Sequence, residues 1–196
     1  MEVNEAIRKY NPFNRYTYKD YESWDGNERC ELIDGEIYLM SAPSVNHQKA
    51  SVELSRQLAN FLIDKKCQVF ASPFDVCLSG KGDNDYIVLQ PDILVVCDKS
   101  KLDTKRCNGA PDLVIEIVSP SSATLDRFKK LNLYLIAGVR EYWIVDPDFK
   151  GVAVHILEND KYVISTYESD AIIPVNVLDG CEIILTDVFD SALKEL

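Results

Sequence analysis

The chain has 196 residues, enough for one domain with a real core, and its 46% hydrophobic and 27% charged content is ordinary for a soluble globular protein. A net charge of −11 argues against loose, non-specific binding to nucleic acid, and no run approaches the ~18 apolar residues of a membrane span. The opening MEVNEAIRKYNPFNRY is charged but has no apolar core segment, so no secretory signal is expected and a cytoplasmic protein is the default.

In chain order, residues 1–17 read as an arm and YKDYESW as a short helix. RCELIDGEIYLMS then gives two strand-like runs around Asp34-Gly35, a favoured two-residue hairpin turn. Ser44 can cap a helix over about 45–64, with Ala50, Leu54, Leu58, Phe61 and Leu62 as its apolar stripe. Strands follow at about 67–78, 86–97 and 112–118. SPSS supplies a turn and cap for a helix over 123–137, which Gly138 ends. Strands near 140–146, 151–157, 161–168 and 182–185 and a terminal helix at 187–195 complete the chain. Without repeats or Gly/Ser-rich linkers, this predicts a single mixed α/β (α+β) domain over 1–196: a central mixed sheet flanked by helices, with an N-terminal hairpin.

None of the six cysteines (30, 67, 77, 97, 107, 181) forms a CxxC pair, and several lie in apolar runs, so reduced, structural cysteines are expected. Charge is uneven: residues 98–130 hold 7 Lys/Arg against 5 Asp/Glu, while 131–196 hold 4 against 12. The basic stretch brackets one unusual strand, which the rest of the reading turns on.

In APDLVIEIVSPSS, five of the seven residues from Leu113 to Ser119 are aliphatic, with Glu116 in their midst. An ionised carboxylate in a doubly buried strand costs several kcal/mol unless a cation or hydrogen bonds meet it. Asp112 shares its strand face but stands about 13 Å away, too far to share a metal ion, and reads as a polar strand-start residue. Asp92, between Pro91 and ILVVC, converges on Glu116 if the two strands are neighbours, and two carboxylates are a usual protein contribution to a Mg²⁺ site. Simpler readings stay open: a Pro-Asp turn for Asp92, a buried Arg or Lys partner for Glu116, and an ordinary exposed strand position for Glu31.

Pro91-Asp92 followed by Glu116 resembles the PD-(D/E)XK nuclease superfamily. The segments ELIDGEIYLMSAPSVNH, PDILVV, PDLVIEIVSPSS, DRFKKLNLY and AGVREYWIVDP, in that order over about 60% of the chain, more closely resemble the Uma-type "putative restriction endonuclease" family, formerly a domain of unknown function. The resemblance implies a restriction-endonuclease-like fold and a Mg²⁺- (or Mn²⁺-) dependent endonuclease acting on DNA. Asp92 and Glu116 are then metal ligands, and Glu31 is an upstream glutamate that completes the metal's shell directly or through water. The superfamily lysine two residues after the glutamate is absent, since that position is Val118. The resemblance moves this role to the next helix, where Asp126, Lys130 and Tyr134 share one face.

Periodicity alone does not favour Lys130: Leu125, Phe128, Leu131, Leu135 and Ile136 form the main apolar arc and Lys130 points nearly opposite, with Lys129 nearer its border. A solvated Asp126–Lys130 ion pair is the alternative. His47 matches a family histidine but is equally suited to a local hydrogen-bonding role. A nuclease of this kind is expected to gather Lys99, Lys101, Lys105, Arg106, Arg127 and Lys129 around its cleft, and a homodimer suits cleavage of both strands. The competing readings are a catalytically weak or inactive nucleic-acid-binding or protein-assembly module on the same fold, and a hydrolase of small phosphate esters with a closed pocket.

Overall fold

A computed structural model describes residues 14–24, 29–118 and 125–190, with the side chains of 125–127 and 190 outside the description. Most of the expected arm, the SPSS segment and the end of the terminal helix lie outside these residues. A short helix α1 (Tyr18–Glu22) precedes the hairpin of β1 (Cys30–Ile33) and β2 (Glu36–Leu39), which pair from Cys30↔Leu39 to Ile33↔Glu36. Asp34 and Gly35 both have positive φ (54° and 77°), as the tight turn joining two right-twisted strands demands. Helix α2 (Val45–Leu62) starts where the Ser44 hydroxyl accepts the His47 N–H at 3.2 Å, and it buries Ala50, Leu54, Leu58 and Leu62.

The two long strands expected over 67–78 and 86–97 each break at a proline, which cannot donate to a ladder. Pro73 separates β3 (Gln68–Ala71) from β4 (Asp75–Cys77), and Pro91 separates β5 (Val88–Leu89) from β6 (Ile93–Val96). The breaks distribute the pieces between two sheets. β4 and β5 join the hairpin and an unanticipated β7 (Arg106–Asn108) in a five-stranded sheet ordered β2-β1-β5-β4-β7. β3 and β6 join β8 (Leu113–Ile117), β9 (Glu141–Asp146), β10 (Gly151–Glu158) and β11 (Lys161–Glu168) in a six-stranded sheet ordered β11-β10-β9-β8-β6-β3. That sheet is mixed, with β8 parallel to β9 and its other pairs antiparallel. A small ladder of β12 (Ile172–Pro174) and β13 (Glu182–Ile184), followed by α4 (Leu185–Asp190), ends the described chain.

Alternation along β8 sorts its side chains between two cores. Leu113, Ile115 and Ile117 pack with α2, Ile93, Val95 and Trp143 on one face of the six-stranded sheet. Val114 and Val118 pack on the other face with Ile33, Leu89, Leu94 and Tyr134. Glu116 has the parity of this second face.

The helix expected over 123–137 is described from 125 as a wide π-helical segment, Leu125–Lys130, continued by α3 (Leu131–Ala137). Gly138 (φ 83°) closes it, with the Val139 N–H donating back to the Tyr134 carbonyl at 2.9 Å. The expected apolar arc is corrected here: Phe128 and Ile136 are 67% and 84% exposed, whereas Lys130 and Tyr134 face inward. A wheel drawn at 3.6 residues per turn misplaces residues in a segment whose hydrogen bonds span five residues.

The cysteine expectation is also corrected, since Cys67 and Cys97 form a disulfide. They directly extend the β3–β6 register from Gln68↔Val96, so pairing sets them opposite each other. Cys30, Cys77, Cys107 and Cys181 are free and buried. Among the described residues no helix is long and apolar enough to cross a membrane.

Candidate active site

Register brings the two central carboxylates together. β6 and β8 pair antiparallel with Ile93 opposite Ile115, so one further step sets Asp92 opposite Glu116 on the same face. The Asp92 carboxylate folds onto the neighbouring backbone, its Oδ2 accepting the Ile117 N–H at 2.8 Å. The same oxygen lies 3.1 Å from His47 Nε2, which donates to it in the Nε2–H tautomer. The start of α2, placed by the Ser44 cap, thus holds the same Asp92 oxygen that β8 holds.

Glu31, from β1 in the other sheet, faces the same cleft, and Lys130 bridges the two glutamates. Its Nζ lies 2.9 Å from both carboxylate oxygens of Glu31 and 3.1 Å from Glu116 Oε1. All three side chains are nearly inaccessible, at 2% for Glu31 and 3% each for Glu116 and Lys130. The Gln90 N–H donates to Glu31 Oε1 at 2.8 Å, and the Tyr134 hydroxyl donates to Glu116 Oε1 at 2.8 Å. Burial first, and then the charges of Glu116 and Glu31, raise the Tyr134 pKa well above its ordinary value, so the phenol remains a donor.

Glu31, His47, Asp92, Glu116 and Lys130 line a cleft of about 240 Å³ together with Arg29, Tyr38, Ser72 and residues of the 40–43 segment. Lys129 stands at its rim, its ammonium 4.4 Å from the Tyr38 ring centroid and bonded to the Tyr38 hydroxyl. The Asp126 side chain lies outside the described residues. Asp112 is a strand-entry clamp instead, accepting the Cys97 N–H at 2.6 Å and pairing with Arg140 at 2.6 Å. His155 is buried against Tyr142 and Tyr162, with Nδ1 3.1 Å from the Tyr142 carbonyl.

The expected basic collar does not form among the described residues. Lys105 pairs with Glu22, and Arg106 pairs with Asp83 at 2.7 Å and Asp103 at 3.1 Å on the far edge of the five-stranded sheet. Lys101 donates to the Ala110 carbonyl, and Lys99 does not line the cleft. The Arg127 side chain is outside the description. Arg29 supplies a cation at the cleft in their place, and sequence reasoning missed it because a lone arginine before a strand carries no pattern.

The three carboxylates of Glu31, Asp92 and Glu116 offer oxygen donors only, which suits a hard divalent cation. Among the described residues no group of three or more His, Cys, Asp or Glu is arranged to hold a metal by itself. Asp92 and Glu116 bring two carboxylates to one face of the cleft, fewer than a closed cation site needs and a number that an open one can use. Glu31 is committed to Lys130 and the Gln90 N–H.

Comparison with known proteins places the chain in a family and identifies the fold. The model of the Uma2 family, described as "putative restriction endonuclease", matches residues 18–187. Two uncharacterized proteins of Synechocystis sp. are 33% and 28% identical over 125 and 122 residues. These matches cover 63% and 61% of this chain, and 64% and 67% of those proteins, so the first spans just under two thirds of its relative. A crystal structure from Anabaena variabilis, titled a putative nuclease belonging to DUF820, superposes with a TM-score of 0.70 at 22% identity. It covers 89% of this chain and 97% of that one, a likeness of fold, which is restriction-endonuclease-like. With a family match running from α1 into α4, this chain belongs to the Uma2 family.

Proposed function

We propose that the protein is a divalent-cation-dependent endonuclease that hydrolyses phosphodiester bonds of DNA. The observation that carries the reading is that the β6–β8 register, carried one step past Ile93↔Ile115, sets Asp92 opposite Glu116 in a cleft that also holds the buried Lys130. Family membership supports a nuclease. Mg²⁺ or Mn²⁺ held by Asp92 and Glu116 supplies Lewis-acid activation of the phosphate and of the attacking water.

The chain's own residues do the rest. The Ile117 N–H and His47 fix Asp92 Oδ2, and Tyr134 fixes Glu116 Oε1, so both carboxylates are held in position before substrate arrives. Glu31 and Glu116 hold the Lys130 ammonium at the cleft wall, where it offsets charge developing on the phosphate in the transition state. Glu31 therefore acts chiefly through Lys130. Two copies of the chain present two such clefts to the two strands of a duplex.

A second reading, a catalytically weak binding or assembly module, draws on the scattering of Lys105 and Arg106 onto acidic partners. A cleavage assay on duplex and single-stranded DNA with Mg²⁺, Mn²⁺ or chelator separates the two. The nuclease reading expects cation-dependent cleavage by the wild type, lost in Asp92→Ala and Glu116→Ala. Cleavage unchanged in both variants removes the proposed site, and no cleavage despite cation binding favours the second reading.

A further inference from the structure

Among the described residues that line the cleft, Arg29 is the cation outside the Lys130–Glu31–Glu116 cluster. It is exposed, where Lys130 is enclosed. Its guanidinium donates from Nε and Nη2 to Gln90 Oε1 at 3.3 and 3.0 Å, and from Nη2 to the Ser72 hydroxyl. Both acceptors are neutral, and among the described residues no carboxylate lies within ion-pairing distance of Arg29. Arg106 and Arg140, by contrast, are paired with acid groups.

The hold on Arg29 is built in depth. The Gln90 side chain is buried, and its amide nitrogen donates to the Tyr21 hydroxyl and to Asp75 Oδ1, each at 2.8 Å. These two acceptors fix the sense of the amide, so its oxygen faces the guanidinium. The backbone N–H of the same residue holds Glu31. One residue therefore sets both the lysine-bearing carboxylate inside the cleft and the arginine at its mouth. A guanidinium fixed by neutral acceptors at the mouth of the cleft is arranged to receive an anion from outside.

We infer that Arg29 is a substrate-positioning residue that binds a backbone phosphate of the DNA, and this rests on the nuclease reading above. Three of the five N–H donors, on Nε and Nη2, orient the guanidinium on neutral acceptors without neutralising it, and the Nη1 donors are left for phosphate oxygens. The phosphate bound here steers the strand across a cleft whose own carboxylates repel it. This gives an acidic protein a local cationic contact without a basic surface.

The test is fluorescence anisotropy of a labelled duplex oligonucleotide in Ca²⁺ across a salt series, alongside steady-state cleavage in Mg²⁺, for wild type, Arg29→Ala, Arg29→Lys and Asp92→Ala. Arg29→Ala should weaken binding about 10- to 100-fold and lower the slope of log affinity against log salt by about 0.9. KM should rise by a similar factor with kcat reduced far less. Arg29→Lys should keep most of the salt slope while losing affinity, because charge is retained and the orientation set by Gln90 and Ser72 is lost. A merely structural role would lower thermal stability and leave the salt slope unchanged, and that result overturns the inference. If wild type cleaves, Asp92→Ala does not, and Arg29→Ala matches wild type in slope and KM, the nuclease reading stands and the role of Arg29 falls. Absence of DNA binding by the wild type overturns both.

Discussion

Replacing Lys130 by methionine removes the cation between two glutamates while keeping most of the side-chain volume. The lysine is 3% exposed, and its ammonium sits within 3.1 Å of oxygens on Glu31 and Glu116, which are 2% and 3% exposed. Without it, the two carboxylates keep the Gln90 N–H and the Tyr134 hydroxyl but no counter-charge among those contacts. Removing one partner of a buried ion pair costs about 3–5 kcal/mol, because the charge left behind cannot regain water. For a chain of this size, about 2–4 °C of melting temperature per kcal/mol translates this into a drop of about 6–20 °C. Urea and thermal unfolding followed by circular dichroism at neutral pH measure it. Lys129→Met is the control, since that ammonium stacks on Tyr38 at the rim, an interaction worth about 0.5–1 kcal/mol where partly exposed. Adding Glu31→Gln to Lys130→Met should recover part of the loss, the non-additivity expected of residues in one network. A Lys130→Met variant within about 1 kcal/mol of wild type would refute the reasoning, because the carboxylates would then not depend on the lysine.

Two further outcomes follow from groups outside the cleft. Burial holds the His155 pKa below its ordinary value, so between pH 6.5 and that lowered pKa the unfolded chain takes up a proton that the folded one does not. Wild-type stability should fall as pH drops through this window relative to His155→Gln, and parallel urea-melt profiles for the two would contradict it. The thiols of Cys77, Cys107 and Cys181 are pushed up by burial to about 12, about 11 and about 11. An aromatic disulfide reagent at pH 8 should leave these thiols unreacted in the folded protein. After unfolding without reductant it should count four free thiols rather than six, because Cys67 and Cys97 are joined.

Local chemistry was legible in the sequence where one residue type decides the outcome. Asp34-Gly35 tolerates the left-handed conformations of the hairpin, Ser44 caps α2, and Gly138 takes φ 83° to end α3. The unusual carboxylate in LVIEI also pointed to its own cleft, because burial of a lone charge demands an explanation at the level of the strand. Features that arise only on pairing were not legible. Whether Pro73 and Pro91 interrupt a strand or divide it between two sheets depends on which neighbours are available. The opposition of Cys67 and Cys97 depends likewise on the β3–β6 register. The π-helical segment defeated the helical wheel for a different reason: its period departs from 3.6 just where Lys130 turns inward, leaving Phe128 outside. Arg29 was hidden because its significance lies in its acceptors, Gln90 and Ser72, both distant in sequence.

The central claim, that Asp92 and Glu116 together hold a divalent cation, is tested most directly by Mn²⁺ titration of the protein without DNA, by calorimetry and by electron paramagnetic resonance. The account predicts one site in the wild type, lost in Asp92→Ala and in Glu116→Ala, and retained in Arg29→Ala. Mn²⁺ binding that survives both carboxylate substitutions, or its absence from the wild type at millimolar concentration, would contradict it.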